Sequence, residues 1–251
     1  MADFQFSDAR LAALYDAFSP WDGRGDFGFY LPMVMSARAV LDVGCGTGAL
    51  LHAARQAGHA GRLCGLDPAP GMLAQARRRT DIEWVQGDLA SAAWPPDFDL
   101  IIMTGHAFQV LVTDGELQAS LTAARSALTA GGRFVFETRN PLARAWQRWT
   151  PQHAVRVPDA SGAMIQMAHE VRAVSDGVLA GDGTVSFVTT YTSPAWDRPQ
   201  VSHSTLRFLG PGPLARFLAA AGLAVEQQFG DWGRQPLSAT SPEIITIARR
   251  A

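Results

Sequence analysis

The segment Asp42-Val43-Gly44-Cys45-Gly46-Thr47-Gly48 constrains this 251-residue chain more than any other stretch. It follows the β-prone run AVLDV and precedes ALLHAARQAG, so a strand has to turn into a helix across three closely spaced glycines. Glycines at such a turn permit positive φ and let a ligand approach the backbone closely. A dinucleotide-binding loop would space them G-x-G-x-x-G. Here the third arrives one residue early, which argues against a nicotinamide cofactor and so against a dehydrogenase.

The strand-turn-helix unit recurs. RLCGLD leads into PGMLAQARRR, IEWVQGD and FDLIIMT follow, and Thr113 with Glu116 forms a capping box for a helix reaching about Ala130. Gly131 and Gly132 then open the strand RFVFET. This rhythm predicts a parallel sheet covered by helices. Ahead of it, Ser7 is a candidate cap for a helix whose apolar face is Leu11, Leu14, Tyr15 and Phe18, ending before Pro20. After a loop from Trp21 to Asp26, Phe27 to Ala37 reads as a second short helix with Pro32 in its first turn.

Residues 144–209 break the pattern with β-prone runs, IQMAHEVRAV, GTVSFVTTYT and VSHSTLRFL, and predict an inserted antiparallel element. The α/β pattern resumes with a helix near Leu214 to Ala221, then AVEQQFGDW and EIITIAR, joined closely enough to pair antiparallel. The expected organisation is a helical cap over 1–37, a Rossmann-like domain from 38–143 and 210–251, and an antiparallel β element from 144–209.

Composition narrows the function. With 47% apolar and 18% charged residues, and no apolar run near the roughly 20 residues a membrane span needs, the chain reads as globular and not membrane-inserted. The start, MADFQFSDARL, lacks a basic segment followed by an apolar one, so a cytoplasmic address is expected. The 21 basic residues, all arginine, face 23 acids and form no run longer than Arg77-Arg78-Arg79, so a nucleic-acid substrate is not expected. Cys45 and Cys64 have neither a C-x-x-C spacing nor a nearby histidine, and no metal site is expected.

Two more strand ends carry carboxylates. Asp67 lies 25 positions after Asp42, close to where open α/β sheets place an acid on ribose hydroxyls. Asp88 can accept from an adenine amino group, with the Leu89 N–H free for a ring nitrogen. Together VLDVGCGTG, GLDP, QGDL, FDLIIM and the terminal hairpin resemble the class I S-adenosylmethionine-dependent methyltransferases, over residues 38–138 and 210–249. The resemblance implies a seven-stranded, mostly parallel sheet whose last strand is antiparallel. It also implies S-adenosylmethionine as cofactor and S-adenosylhomocysteine as product. Gly44, Gly46 and Gly48, with Asp42 and Cys45, would surround the methionine part. Asp67 would hold the ribose, Pro68 and Met72 would flank the ribose or adenine, Asp88 and Leu89 would meet the adenine, and Thr104 would lie at the methionyl end.

Methyl transfer is an in-line displacement, and the protein's main task in it is alignment. His106, just past the fourth strand, is the candidate general base. Tyr15 is a candidate to close the methionine side, with Trp21 and Tyr30 as further aromatic candidates near the substrate. Glu137 and Arg139 either meet substrate or pair with each other on the surface. His169 and His203 fall on predicted strands, where a lone histidine is more often core than catalytic. No N-P-P-Y or D-P-P-Y follows the fourth strand, so the nucleic-acid amino methylases match poorly and a small-molecule acceptor at N, O or C is expected. The competing reading is a protein of the same fold that binds S-adenosylmethionine without methylating, as a lyase, a cyclase or a non-catalytic subunit.

Overall fold

The computed structural model describes residues 2–91 and 93–251. Four helices open the chain, α1 (Phe4–Ser7), α2 (Ala9–Ala12), α3 (Tyr15–Phe18) and α4 (Gly25–Ser36). α2 and α3 stand in place of the single expected helix, and α1 precedes it. Asp8 accepts from the N–H groups of Arg10 and Leu11, so it is Asp8 rather than Ser7 that caps. Pro32 sits inside α4, not in its first turn.

Next come β1 (Ala39–Val43), α5 (Ala49–Gln56), β2 (Arg62–Asp67), α6 (Pro70–Ala76), β3 (Glu83–Gln86), β4 (Phe98–Met103), α7 (Asp114–Ala127) and β5 (Leu128–Arg139). The Thr113–Glu116 capping box is formed reciprocally at the start of α7. That helix stops three residues short of Ala130, because β5 already begins at Leu128 and takes in both glycines. The chain closes with α8 (Pro211–Ala220), β10 (Leu223–Phe229) and β11 (Glu243–Arg250), after a second sheet of β6 (Val155–Pro158), β7 (Met164–Val174), β8 (Asp182–Thr192) and β9 (Gln200–Leu209).

The large sheet has the order β10-β11-β5-β4-β1-β2-β3, with β11 antiparallel to both neighbours. Alternation along each strand divides its side chains between two cores. Ile101, Met103, Phe134 and Phe136 face α7 and α8. Leu100, Ile102, Val135 and Ile247 face α4 and α5. The small sheet, β6-β7-β8-β9, is antiparallel throughout.

The N-terminal helices tie the two sheets together. The Gln5 N–H donates to Ser202 Oγ at 3.1 Å, the Tyr191 hydroxyl donates to Gln5 Oε1 at 3.0 Å, and Leu11 and Leu14 pack on Ile165 and Tyr191. On the other side they lie against α6, where a Cβ on Gly71 would come 2.7 Å from the Phe6 carbonyl oxygen.

One core contact bears directly on the site. Phe136 is fully buried and stacks on Phe108 at 4.1 Å, fixing the turn that follows β4. Phe136→Ala is expected to cost about 3–5 kcal/mol, read as a lowered midpoint in urea unfolding.

Candidate active site

The carboxyl ends of β1 and β4 and the N-terminal helices enclose a cavity of about 200 Å³. Its floor is the glycine-rich turn. Gly46 stands at φ +56°, and a Cβ on it would meet nothing within 4 Å. The residue is glycine for its backbone, and its missing side chain leaves open space for a ligand. Gly48, at φ +76°, caps α5, and a side chain there would run into the Trp84 indole. Asp67 braces the turn: its Oδ2 accepts from the Gly46 N–H and its Oδ1 from the Ala69 N–H, both at 2.8 Å.

The cavity's charges come from three side chains. Arg24 is the one cation among its described lining residues. Its Nε donates to Asp26 Oδ1 at 2.8 Å, and its guanidinium lies 4.1 Å from the centre of the Phe27 ring. Burial is the largest single effect and works against that charge, yet the bond to Asp26 together with the surrounding acidic groups, Glu137 among them, outweighs it and the Arg24 pKa is raised. Asp16 accepts from Thr47 Oγ1 at 2.7 Å. Asp42 also lines the cavity, and its Oδ1 is buried with no hydrogen-bond partner. Burial, with the charge of Asp67 nearby, pushes the Asp42 carboxyl up to about 8.

Thr104 and Gly105 form the cavity's edge at the end of β4, and His106 follows at φ +64°, a left-handed conformation uncommon outside glycine. Buried hydrogen bonds hold it there. The His106 N–H donates to Glu137 Oε1 at 2.7 Å, and Glu137 Oε2 accepts from the Tyr30 hydroxyl. The ring's Nε2 lies 3.0 Å from a Glu243 carboxylate oxygen. Burial pushes His106 down to about 3 and Glu243 up to about 7, so the imidazole is neutral at neutral pH, and its Nδ1 makes no hydrogen bond among the described residues.

Of the residues singled out from sequence, Tyr15, Trp21, Asp42, Gly44, Cys45, Gly46 and Thr104 line the cavity. Asp67 lies beside it, through its bond to Gly46. Met72 is buried in the contact between α6 and the N-terminal helices, with Tyr15 packed against the same cluster. Pro68 and Asp88 are exposed along the same sheet edge, and the Leu89 side chain is core. Tyr30 and Glu137 are both fully buried and bonded to each other, so neither offers a free surface to substrate. The surface pair of Glu137 with Arg139 does not form: Arg139 Nη1 donates to Gln109 Oε1 at 2.9 Å instead. His203 is exposed on β9.

Sequence reasoning missed Arg24, Asp16 and Glu243. Arg24 sits in WDGRGD, where a charged residue in a Gly- and Asp-rich loop carries no periodicity to betray it. Glu243 is recognisable only once β11 is known to pair with β5, in a register that sets it opposite Arg139.

A family model described as a methyltransferase domain matches residues 40–132. The 2-phytyl-1,4-naphtoquinone methyltransferase of Thermosynechococcus vestitus is 31% identical over 175 residues, spanning 64% of this chain and 76% of that protein. The cypemycin N-terminal methyltransferase of a Streptomyces species is 26% identical over 220 residues, 86% of this chain and 84% of that one. The structure of the CcbJ methyltransferase from Streptomyces caelestis superposes with a TM-score of 0.73 at 21% identity, covering 98% of both chains. The chain belongs to the class I S-adenosylmethionine-dependent methyltransferases. It is a methyltransferase whose donor is S-adenosylmethionine.

The site fits that donor. One guanidinium and two carboxylates match a ligand bearing one carboxylate and two cationic centres, an ammonium and a sulfonium. The orphaned Asp42 Oδ1 is the kind of buried polar atom that a native protein leaves for a ligand. Among the described residues no helix is long and apolar enough to cross a membrane, and no cluster of histidine, cysteine and acidic residues could hold a metal.

Asp42 makes a prediction independent of activity. Its pKa is raised on folding, so its contribution to stability is complete below the ordinary carboxylate range and is lost as pH rises through about 8. Asp42→Asn should therefore melt higher than the wild type above pH 8, with the difference shrinking as pH falls, by scanning calorimetry without ligand.

Proposed function

We propose that this enzyme methylates an amine on a small molecule, held between the carboxyl edge of the large sheet and the inner face of the small one. The observation that carries the reading is the single turn Thr104-Gly105-His106. It sets the edge of the donor cavity and a neutral imidazole backed by the Glu243 carboxylate one residue apart. The match to the cypemycin N-terminal methyltransferase supports an amine. So does Glu243, whose carboxylate lies 3.0 Å from His106 Nε2 and offers an ammonium a partner on this side of the cavity.

S-adenosylmethionine, when bound, supplies an electrophilic methyl on a sulfonium and leaves as S-adenosylhomocysteine. Arg24 holds the donor's carboxylate, Asp42 faces its cationic end, Asp67 with the Gly44-to-Gly48 turn takes the ribose and methionine parts, and Asp88 with Leu89 takes the adenine. Tyr15 and Trp21 close the cavity from the N-terminal side and keep water from it, which strengthens these charge interactions.

The acceptor arrives protonated and must become a free amine before it can attack. Because burial holds the His106 pKa at about 3, His106 takes that proton on Nδ1 only when Glu243 at Nε2 is ionised and stabilises the imidazolium that forms. Glu137 acts through His106, by holding its backbone in the left-handed turn.

Arg24→Gln and Asp67→Ala should each weaken S-adenosylhomocysteine binding about tenfold or more in calorimetric titration, with NADH as the negative control. His106→Ala should lower kcat by about 10²- to 10⁴-fold while leaving S-adenosylhomocysteine affinity unchanged. Because the Glu243 carboxyl is raised to about 7 and must be ionised to support the imidazolium, the wild-type rate should climb with pH through that value. In Glu243→Gln the climb should vanish. A loss of donor binding in His106→Ala, or a pH profile unaltered by Glu243→Gln, would refute the assigned base.

A further inference from the structure

Arg139 ends β5 on the acceptor side of the site and is largely withdrawn from solvent. Guanidiniums in that position are costly unless paired. Arg24 and Arg207 obey the rule: Arg24 is held by Asp26, and Arg207 forks onto Asp182 with both bonds at 2.9 Å. Arg139 has no carboxylate within 4 Å among the described residues. One of its five N–H groups serves Gln109, and its charge lies 5.2 Å from the centre of the Trp149 ring. Among the described residues the remaining guanidinium nitrogens have no protein acceptor, and they are not sealed from solvent.

That space has walls of definite chemistry. Trp149 packs on Phe187 at 4.7 Å, and Phe187 on the His169 ring at 5.7 Å. His169 is held through Nδ1 by Thr189 Oγ1 at 3.0 Å, leaving Nε2 free. Burial and then the charge of Arg139 push the His169 pKa down and keep the imidazole neutral. His169 is therefore not a core residue of the small sheet. Its ring packs on the same Phe187–Trp149 aromatic pair that carries the Arg139 guanidinium.

We propose that Arg139, assisted by the His169 Nε2–H, binds a carboxylate on the methyl acceptor, so that the substrate is an amine that also carries a carboxylate. The guanidinium fork matches a carboxylate through two parallel hydrogen bonds. A single guanidinium fork matches a monoanionic carboxylate and not a phosphate dianion. The proposal rests on the acceptor reading above and adds the second pole of the substrate: ammonium toward His106 and Glu243, carboxylate toward Arg139, with the aromatic wall beside them.

The test uses enzyme saturated with S-adenosylhomocysteine, titrated calorimetrically with L-phenylalanine, 3-phenylpropanoate and phenethylamine. The two carboxylates should bind about tenfold or more tightly than phenethylamine. Arg139→Gln should erase the difference and Arg139→Lys should keep part of it, since lysine preserves the charge but not the fork, with S-adenosylhomocysteine affinity unchanged in both as the check on folding. Equal binding of phenethylamine and L-phenylalanine, carboxylate binding undiminished in Arg139→Gln, or no carboxylate binding at all by enzyme that still takes S-adenosylhomocysteine would each overturn the proposal. Mass analysis of the same probes with S-adenosylmethionine separates this from the amine reading. Carboxylate selectivity with no N-methyl product would sink the amine and leave the anion site standing, whereas N-methylation of both amines at equal KM would sink the anion site alone.

Discussion

The arrangement of the site depends on one buried carboxylate. Glu137 is fully enclosed at the end of β5, where burial raises its pKa, and both of its oxygens are taken by protein donors, the Tyr30 hydroxyl and the His106 N–H. Three elements meet there: α4 of the N-terminal region, the central strand β5 and the turn after β4. A buried acid with two satisfied oxygens is tolerable, and a half-satisfied one is costly, so the three pieces hold one another in place. The left-handed backbone of His106 is strain that this network over-determines. Phe108, stacked on Phe136 from the other side, completes the clamp.

A second constraint shapes the donor cavity. The protein carries Asp42 and Asp67 close together at the ends of adjacent parallel strands, and only Asp67 is answered by backbone N–H groups. Asp42 remains under-satisfied and its pKa stays high. Folding thus keeps an electrostatic deficit at the point where a cationic ligand belongs, a common pattern where a binding site is built into a core. The N-terminal helices complete the enclosure from above. They are short and individually weak, and they are held by contacts to both sheets, through Gln5 and Leu11 on one side and the close approach to Gly71 on the other.

Much of the fold could be read from the chain because its signals are local. The glycine turn, the Thr113–Glu116 box and the apolar run FDLIIM each depend on near neighbours, and the corresponding elements stand where they were expected. The errors are of a different kind. The helix expected over Leu11 to Phe18 divides at Ala13 and Leu14 although its apolar spacing continues there, and Asp8 caps its first part in place of Ser7 because the Asp8 side chain offers the backbone N–H groups a partner. β6 was missed since VRVP is short, contains a proline and owes its strand geometry to pairing with β7. Tyr30 and Glu137 were read as candidates to meet substrate, but 107 positions separate them in sequence and only the crossing of α4 behind β5 brings them into contact.

By itself, the sequence determined a sheet of the doubly covered kind, a donor loop that refuses dinucleotide spacing, and the carboxylates at successive strand ends, because these follow from backbone sterics and from periodicity over a few residues. Tertiary structure alone decided which charges are paired. It gave Arg24 to Asp26 and Glu243 to His106, sealed Glu137 away from Arg139, and left Arg139 beside His169 with its fork unanswered. Pairing is set by distances between strands and helices far apart in the chain, and by how much water each charge loses on burial. Neither quantity is written in the spacing of residues along one strand.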